Sequence, residues 1–466
     1  MKRVPADFAG RRILGMTFEG EPIFEPANAG ASLVLAAAGG GKTTCVTVPA
    51  VQCLLASSSP RAILINDVKD GEVASQVGAM CVKHGRKFGA VDEFEVLGCD
   101  YPFRLSLNAF GAAVTAFRNE SPDLPFIIEN ITHALIDEPK DDERNFYWRE
   151  SARERIDFAL RALLDRSPRL TFPGGLHALL ADPKLWSHAL KNAAKGNDIS
   201  LAAPAKQILE LKEQNPEHDA QHLGAALTAT KMFSYGPLAN AGRLPDLSHA
   251  DLIRDAWVVC FVNPVRHADR LGPFFALHFL ALMDAQLRGG AGGADYILDE
   301  FCNAPLREKL NRITIERGFG ARTIYLAQSR QDIVRRYGEK ETAILEENCT
   351  VKQYLKISNF DEASRIAKAM GEALHVSSGL GLTSDNQSFS RNLSTGHGCM
   401  FSADELMRLP PNEQIIHIAG LGWIHCLKNR QNQNAPYCYD LTDNRIEGGR
   451  LPPDPKILLP TPGLRP

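Results

Sequence analysis

Residues Ser32–Pro49 read SLVLAAAGGGKTTCVTVP, and the order of residue types in this stretch decides the fold. An apolar β-type run (Leu33, Val34, Leu35) enters a loop of small residues and three glycines. The loop ends in Gly41-Lys42-Thr43-Thr44 before a second apolar segment, which is the order strand, phosphate loop, helix. Backbone N–H groups can wrap a polyphosphate only where side chains are absent. A lysine must reach the β- and γ-phosphates, and a hydroxyl beside it must ligate Mg²⁺. Gly39, Gly40, Gly41, Lys42 and Thr43 supply these groups, with Thr44 alongside. The usual pattern places a glycine six positions before the lysine, where this chain has Ala36. That departure puts the loop's detailed conformation in question, not the phosphate site. A Gly-rich turn before a helix can also be merely structural; the adjoining Lys-Thr, the upstream strand and a distant acidic strand weigh against that reading.

The acidic strand lies in Ala294–Ala304, ADYILDEFCNA. Tyr296, Ile297 and Leu298 form a buried-type run that delivers Asp299 and Glu300 at its carboxyl end, the edge at which open α/β sheets bind ligands. Asp299 is suited to hold Mg²⁺ through water, and Glu300 to orient and deprotonate an attacking water. An apolar run followed by Asp-Glu is common by chance, but it gains meaning beside a phosphate loop.

At 466 residues the chain can hold several domains, or one large α/β core carrying an insertion. A net charge of −3 shows no basic bias, so nucleic-acid contact would need a local patch or a ring of subunits. Ten cysteines occur as singles without a CxxC pair, which indicates neither a zinc site nor a disulfide framework and fits a reducing cytoplasm. The N-terminus MKRVPADFAGRRILG lacks an apolar signal core, and the most apolar long segment, Gly272–Leu287, carries His278 and Asp284, so it reads as a buried helix.

Residues 1–30 read as a lead-in β-hairpin. Strands are expected at Arg61–Asp67, Lys87–Asp92, Trp257–Val262, Thr323–Ala327 and Cys349–Ile357, giving the β-α rhythm of a mostly parallel sheet. From Phe126 to Pro245 the pattern is helical throughout. A basic helix is expected around Arg307, Lys309, Arg312 and Arg317. Residues 376–398 are rich in Ser, Gly, Asn and Thr and read as a mobile loop, and the Pro-rich tail reads as extended. The resulting division is residues 1–115 as the first part of a nucleotide-binding domain, 116–245 as an all-α insertion, 246–440 as its second part and 441–466 as the tail.

With these motifs in order, the chain resembles the TraG/TraD-type coupling proteins of type IV secretion, the conjugative DNA-transfer ATPases, over roughly residues 30 to 430. Ile65–Glu72 is similar to the family's Asp-Pro-Lys-Gly-Glu element, with Val68 in place of proline and Asp70 extra. Leu107-Asn108-Ala109 resembles its Asn-Pro-Leu turn, Phe146-Tyr147-Trp148 the Phe-Trp near its all-α domain, and Leu298–Phe301 its second acidic motif. Residues 401–424 are similar to its last shared region, with Trp423 where proline is usual.

The resemblance implies a RecA-like P-loop domain with a mostly parallel sheet and an inserted all-α domain, binding ATP and Mg²⁺ between subunits of a homo-hexamer. Gln328 in Ala327-Gln328-Ser329 is similar to the residue that senses the γ-phosphate. Arg317 matches the arginine directed into the neighbouring subunit's nucleotide, with Arg322 as its competitor. Implied partners are DNA, a relaxase or effector proteins, and the components of a secretion channel. Family members usually begin with membrane-spanning helices, and this sequence shows none. The expectation is therefore a cytoplasmic version, peripheral at the inner membrane through partners, or a chain trimmed of its anchor. Basic residues at a channel are expected in Arg330–Arg336 or Lys83–Lys87. An FtsK-like DNA translocase, a pilus-assembly ATPase and a non-motor nucleotide-binding adaptor are the rival readings.

Overall fold

The computed structural model describes the chain apart from residues 6–7, 9, 137–145, 290–292, 303–308, 311, 383–388 and 463–466; of residues 372–382 and 389–399 it describes the backbone. Arg307 of the expected basic helix lies outside the described residues.

The core is an eleven-stranded sheet. From one edge it runs Pro22–Phe24, Ile13–Met16, Gly422–Leu427, Glu413–Ile418, Val351–Lys356, Ala31–Ala36, Ala321–Ala327, Ala294–Leu298, Ala62–Asp67, Val258–Val262 and Phe88–Val91. The last seven are mutually parallel, and the first four join by antiparallel pairing. ASLVLA, AILIND, VVCFV and ADYIL are buried at every position. Near-continuous apolar runs are what a parallel sheet covered on both faces requires.

Alternation along the strands divides the core into two layers. Leu33 and Leu35 face a cluster that continues through Ile156, Trp186 and Phe274, whereas Val34 and Ala36 face one containing Val51, Val77 and Ile457. The first layer is covered by the helices between Phe88–Val91 and Val258–Val262, among them Leu124–Leu135, Phe146–Arg166, Pro183–Lys195, Ile199–Gln214 and Pro216–Thr230. Asp182, Asp198 and Asn215 cap three of these by accepting from N-terminal backbone N–H groups. A buried ion pair, Arg155 to Asp219 at 3.1 Å, ties two together.

One expectation needs correction. Of residues 376–398, those at 376–382 and 389–398 are not loop: the backbone forms antiparallel strands Glu372–Leu382 and Phe389–Cys399, and 383–388 lie outside the described residues. The composition misleads because backbone pairing needs no apolar alternation. The tail, read as extended, is also docked. Leu441, Asn444, Ile457 and Leu459 are buried, and Ile457–Leu458 pairs with both Lys2–Arg3 and Asn434–Ala435.

Ile457 is fully buried. Replacing it with alanine is expected to lower the unfolding free energy by about 2–4 kcal/mol in urea titration; a change within about 0.5 kcal/mol, the surface range, would contradict docking of the tail.

Candidate nucleotide site

The carboxyl end of Ala31–Ala36 opens into a loop whose Gly39 and Gly41 have φ of 70° and 89°, values that L side chains rarely adopt. A Cβ on Gly40 would lie 2.8 Å from the Ala37 carbonyl oxygen. Ala36 closes the strand, fully buried, and is not among the residues with positive φ. Glycine is thus not needed there. The loop leads into a π-helical turn, Thr43–Thr47, and then the helix Val48–Leu55. Pro49 accounts for the turn, since it has no N–H for the Cys45 carbonyl.

Three lysines hold the loop by its carbonyl groups. Lys42 Nζ donates to Ala36 O at 3.3 Å, Lys356 Nζ to Ala38 O at 3.1 Å and Lys428 Nζ to Gly40 O at 3.2 Å. With these carbonyls engaged, the loop is organised to offer its N–H groups to an anion. Lys356 and Lys428 end two strands of the sheet, Lys428 immediately after Gly422–Leu427; neither carries a local sequence signal.

One strand, Ala321–Ala327, separates the loop strand from Ala294–Leu298. That spacing brings Lys42 Nζ within 2.7 Å of Glu300 Oε1, both side chains being almost fully buried. Glu300 has φ of 48°, a strained value for a non-glycine residue and one frequent at working sites. Lys69 Nζ lies 3.7 Å from the same oxygen. Asp299 is wholly buried, and neither of its carboxylate oxygens has a hydrogen-bond partner. Thr43 Oγ1 donates to Glu72 Oε2 at 3.1 Å. Asp67 caps the helix Glu72–Lys83, its Oδ2 accepting from the N–H groups of Val73 and Ala74.

Gln328 follows Ala327, which pairs with Leu35, so it stands exposed beside the start of the loop. Arg317 is elsewhere. It sits exposed against Gly30, at the amino end of the loop strand, one strand length from Lys42. No ion pair to Arg317 is found among the described residues, whereas Arg322 is committed to Asp295. Sequence reading missed the contributions of Lys69, Glu72, Lys356 and Lys428. The Asp67–Glu72 element was the only signal for any of them.

The electrostatics favour a cation. Burial pushes Asp299 up to about 6 against the pull of Lys69, and pushes Asp67 up to about 8. Burial acts to lower Lys69, but Asp299, Glu300, Glu72 and Asp67 outweigh it and hold its ammonium above the usual range. Among the described residues no three His, Cys, Asp or Glu side chains converge as metal ligands. Mg²⁺ does not require three, because it keeps several waters and takes one or two protein ligands beside the phosphates. The unpartnered oxygens of Asp299 and the Thr43 hydroxyl fit that demand.

A parallel sheet with the phosphate-loop strand and the acidic strand flanking one further strand defines the class: a RecA-like P-loop fold. Residues 294–411 match the family described as the TraM recognition site of TraD and TraG. No curated protein sequence matches the chain. Among solved structures, the bacterial conjugative coupling protein TrwBdeltaN70, unbound, superposes with TM-score 0.61 at 15% identity, over 91% of this chain and 92% of that one. The plasmid coupling protein TrwB in complex with ADP and Mg²⁺ gives 0.61 at 14% identity, covering 90% and 89%. VirB4 of Thermoanaerobacter pseudethanolicus gives 0.51 at 14%, covering 92% and 98%. At these identities the structural likeness is one of fold. With the family match, it bears out the resemblance to TraG/TraD-type coupling proteins. No helix among the described residues is long and apolar enough to cross a membrane.

Because Asp299 titrates at about 6 when folded and from a reference of 3.8 otherwise, the folded state holds its proton longer. Its share of stability is therefore expected to fall as pH rises from about 4 to about 6 in the ligand-free chain. Thermal unfolding across that window should show a decline that is shallower in Asp299→Asn, where only the raised Asp67 still contributes to it at this site. A constant difference between the two proteins would contradict the assignment.

Proposed function

We propose that this chain is an ATP-hydrolysing motor of the coupling-protein type. It works as a ring of six identical subunits and delivers relaxase-bound DNA, or effector proteins, to a type IV secretion channel at the inner membrane, which it reaches through partner proteins. The observation that carries this reading is the meeting of Lys42 with Glu300 beside the unpartnered Asp299, at the carboxyl edge of a sheet whose residues 294–411 match a coupling-protein region.

The geometry supports the following roles. The N–H groups of Gly39, Gly40, Gly41, Lys42, Thr43 and Thr44 cradle phosphate, and Lys42 exchanges its Glu300 partner for the β- and γ-oxygens. Thr43 and, through water, Asp299 would hold Mg²⁺, which would supply charge neutralisation at the phosphates. Glu300, freed from Lys42, accepts the proton of the attacking water. Gln328, beside the loop, hydrogen-bonds the γ-phosphate. Arg317, too far from Lys42 to serve its own site, completes that of the next subunit.

Of the two basic runs expected at a channel, Lys83 and Lys87 engage Asp440 and Asp255, and Arg330 engages Glu339 and Glu346. These three charges are neutralised, whereas exposed Arg335 reaches Asp332 only at 3.7 Å.

Steady-state hydrolysis on assembled rings tests the proposal. DNA is expected to stimulate turnover, and Lys42→Ala or Glu300→Gln to lower kcat by about 100-fold or more. Tight ATP binding without turnover would favour an adaptor instead. Arg317→Ala is expected to abolish turnover while nucleotide affinity stays within about threefold, since a group that acts only on developing charge adds little to ground-state binding. A comparable loss of affinity would contradict a role in the neighbour's site.

A further inference from the structure

The C-terminal segment reaches the phosphate loop directly at two places and, through Glu72, at a third. Lys428 donates to Gly40 O, as above, and the Gln431 N–H donates to Thr44 O at 2.8 Å. The third contact is the deepest. Asn444 Nδ2 donates to Glu72 Oε1 at 2.7 Å, while the other oxygen of Glu72 accepts from Thr43 Oγ1 at 3.1 Å. Asn444 is 4% exposed and Glu72 3%. Asn444 also closes a small loop around itself. Its Oδ1 accepts from the N–H groups of Ile446 and Glu447, its carbonyl from Gly448, and its own N–H donates to Gly449 O at 2.7 Å.

A threonine hydroxyl has one proton and two lone pairs. By taking the proton, Glu72 turns the lone pairs of Thr43 outward, toward the place where a cation beside Asp299 would sit. A cation there polarises the hydroxyl and strengthens its hydrogen bond to Glu72, the usual relation between a metal ligand and the carboxylate behind it. Glu72 cannot drift to relieve a poor fit. It stands in the first turn of a helix whose end is fixed by Asp67, and its second oxygen is held by Asn444.

We propose that Glu72 and Asn444 are positioning residues of the nucleotide site, and that the chain Thr43–Glu72–Asn444 carries the presence of Mg²⁺·nucleotide to the C-terminal loop 442–450. The inference rests on the nucleotide-site reading. It adds that the loop on the far side of Glu72 becomes more ordered when metal and nucleotide bind together, and not with nucleotide alone.

Hydrogen exchange of the peptide spanning 442–450 tests this on the full chain, with ADP and Mg²⁺ and with ADP and a chelator, binding being measured separately by calorimetry. Mg²⁺·ADP is expected to slow exchange of this peptide by about threefold or more, and metal-free ADP to leave it unchanged. Asn444→Asp keeps the acceptor for Ile446 and Glu447 but puts a carboxylate where Glu72 needs a donor; it is expected to bind Mg²⁺·ADP about 10-fold or more weakly and, at saturating Mg²⁺·ADP, to show no slowing. If calorimetry shows Mg²⁺·ADP bound and exchange does not slow, or slows equally in Asn444→Asp, the relay is wrong while the nucleotide site stands. If Mg²⁺·ADP does not bind at all, both fall.

Discussion

The structure depends on one contact, between the Lys42 ammonium and the Glu300 carboxylate, made across the width of a single strand. The two residues are far apart in the chain, and the helices between Phe88–Val91 and Val258–Val262 intervene. What brings them together is strand order. The loop strand and the acidic strand each pair with Ala321–Ala327, all three parallel, so their carboxyl ends open on the same edge. Without that register the glycine loop would be a turn and the Asp-Glu pair a solvated strand end.

The charges gathered there do not balance on their own. Asp67, Glu72, Asp299 and Glu300 gather around Lys69, with Lys42 paired to Glu300, and burial keeps Asp299 and Asp67 protonated beyond the ordinary carboxylate range. A buried acid without a hydrogen-bond partner is costly, and a site retaining Asp299 in that state is poised for a cation. The polyphosphate loop on one wall and the carboxylates on the other demand opposite charges, and a magnesium–nucleotide complex presents both.

Much of this was legible in the sequence, and the reasons are physical. A phosphate loop is a local solution to a local problem: glycines for close approach, one lysine and one hydroxyl in fixed order. Lys42, Thr43, Asp299 and Glu300 could therefore be singled out as candidates, and Lys42 and Glu300 do meet; the buried parallel strands announced themselves as unbroken apolar runs. What escaped was long-range. Lys356 and Lys428 grip the loop from strands far along the chain, and nothing around either hints at a partner. Glu72 lay in an element noticed without a role, because its function arises only when Thr43 and Asn444 arrive from opposite ends of the molecule. The paired residues within 376–398 were misjudged because composition reports solvation well and pairing poorly.

The most direct test of the central claim is a crystal structure with ADP, Mg²⁺ and a γ-phosphate mimic. The account predicts Lys42 turned from Glu300 onto the phosphates, Thr43 ligating the metal and Asp299 joined to it through water. A nucleotide bound elsewhere, with the Lys42–Glu300 pair undisturbed, would contradict it.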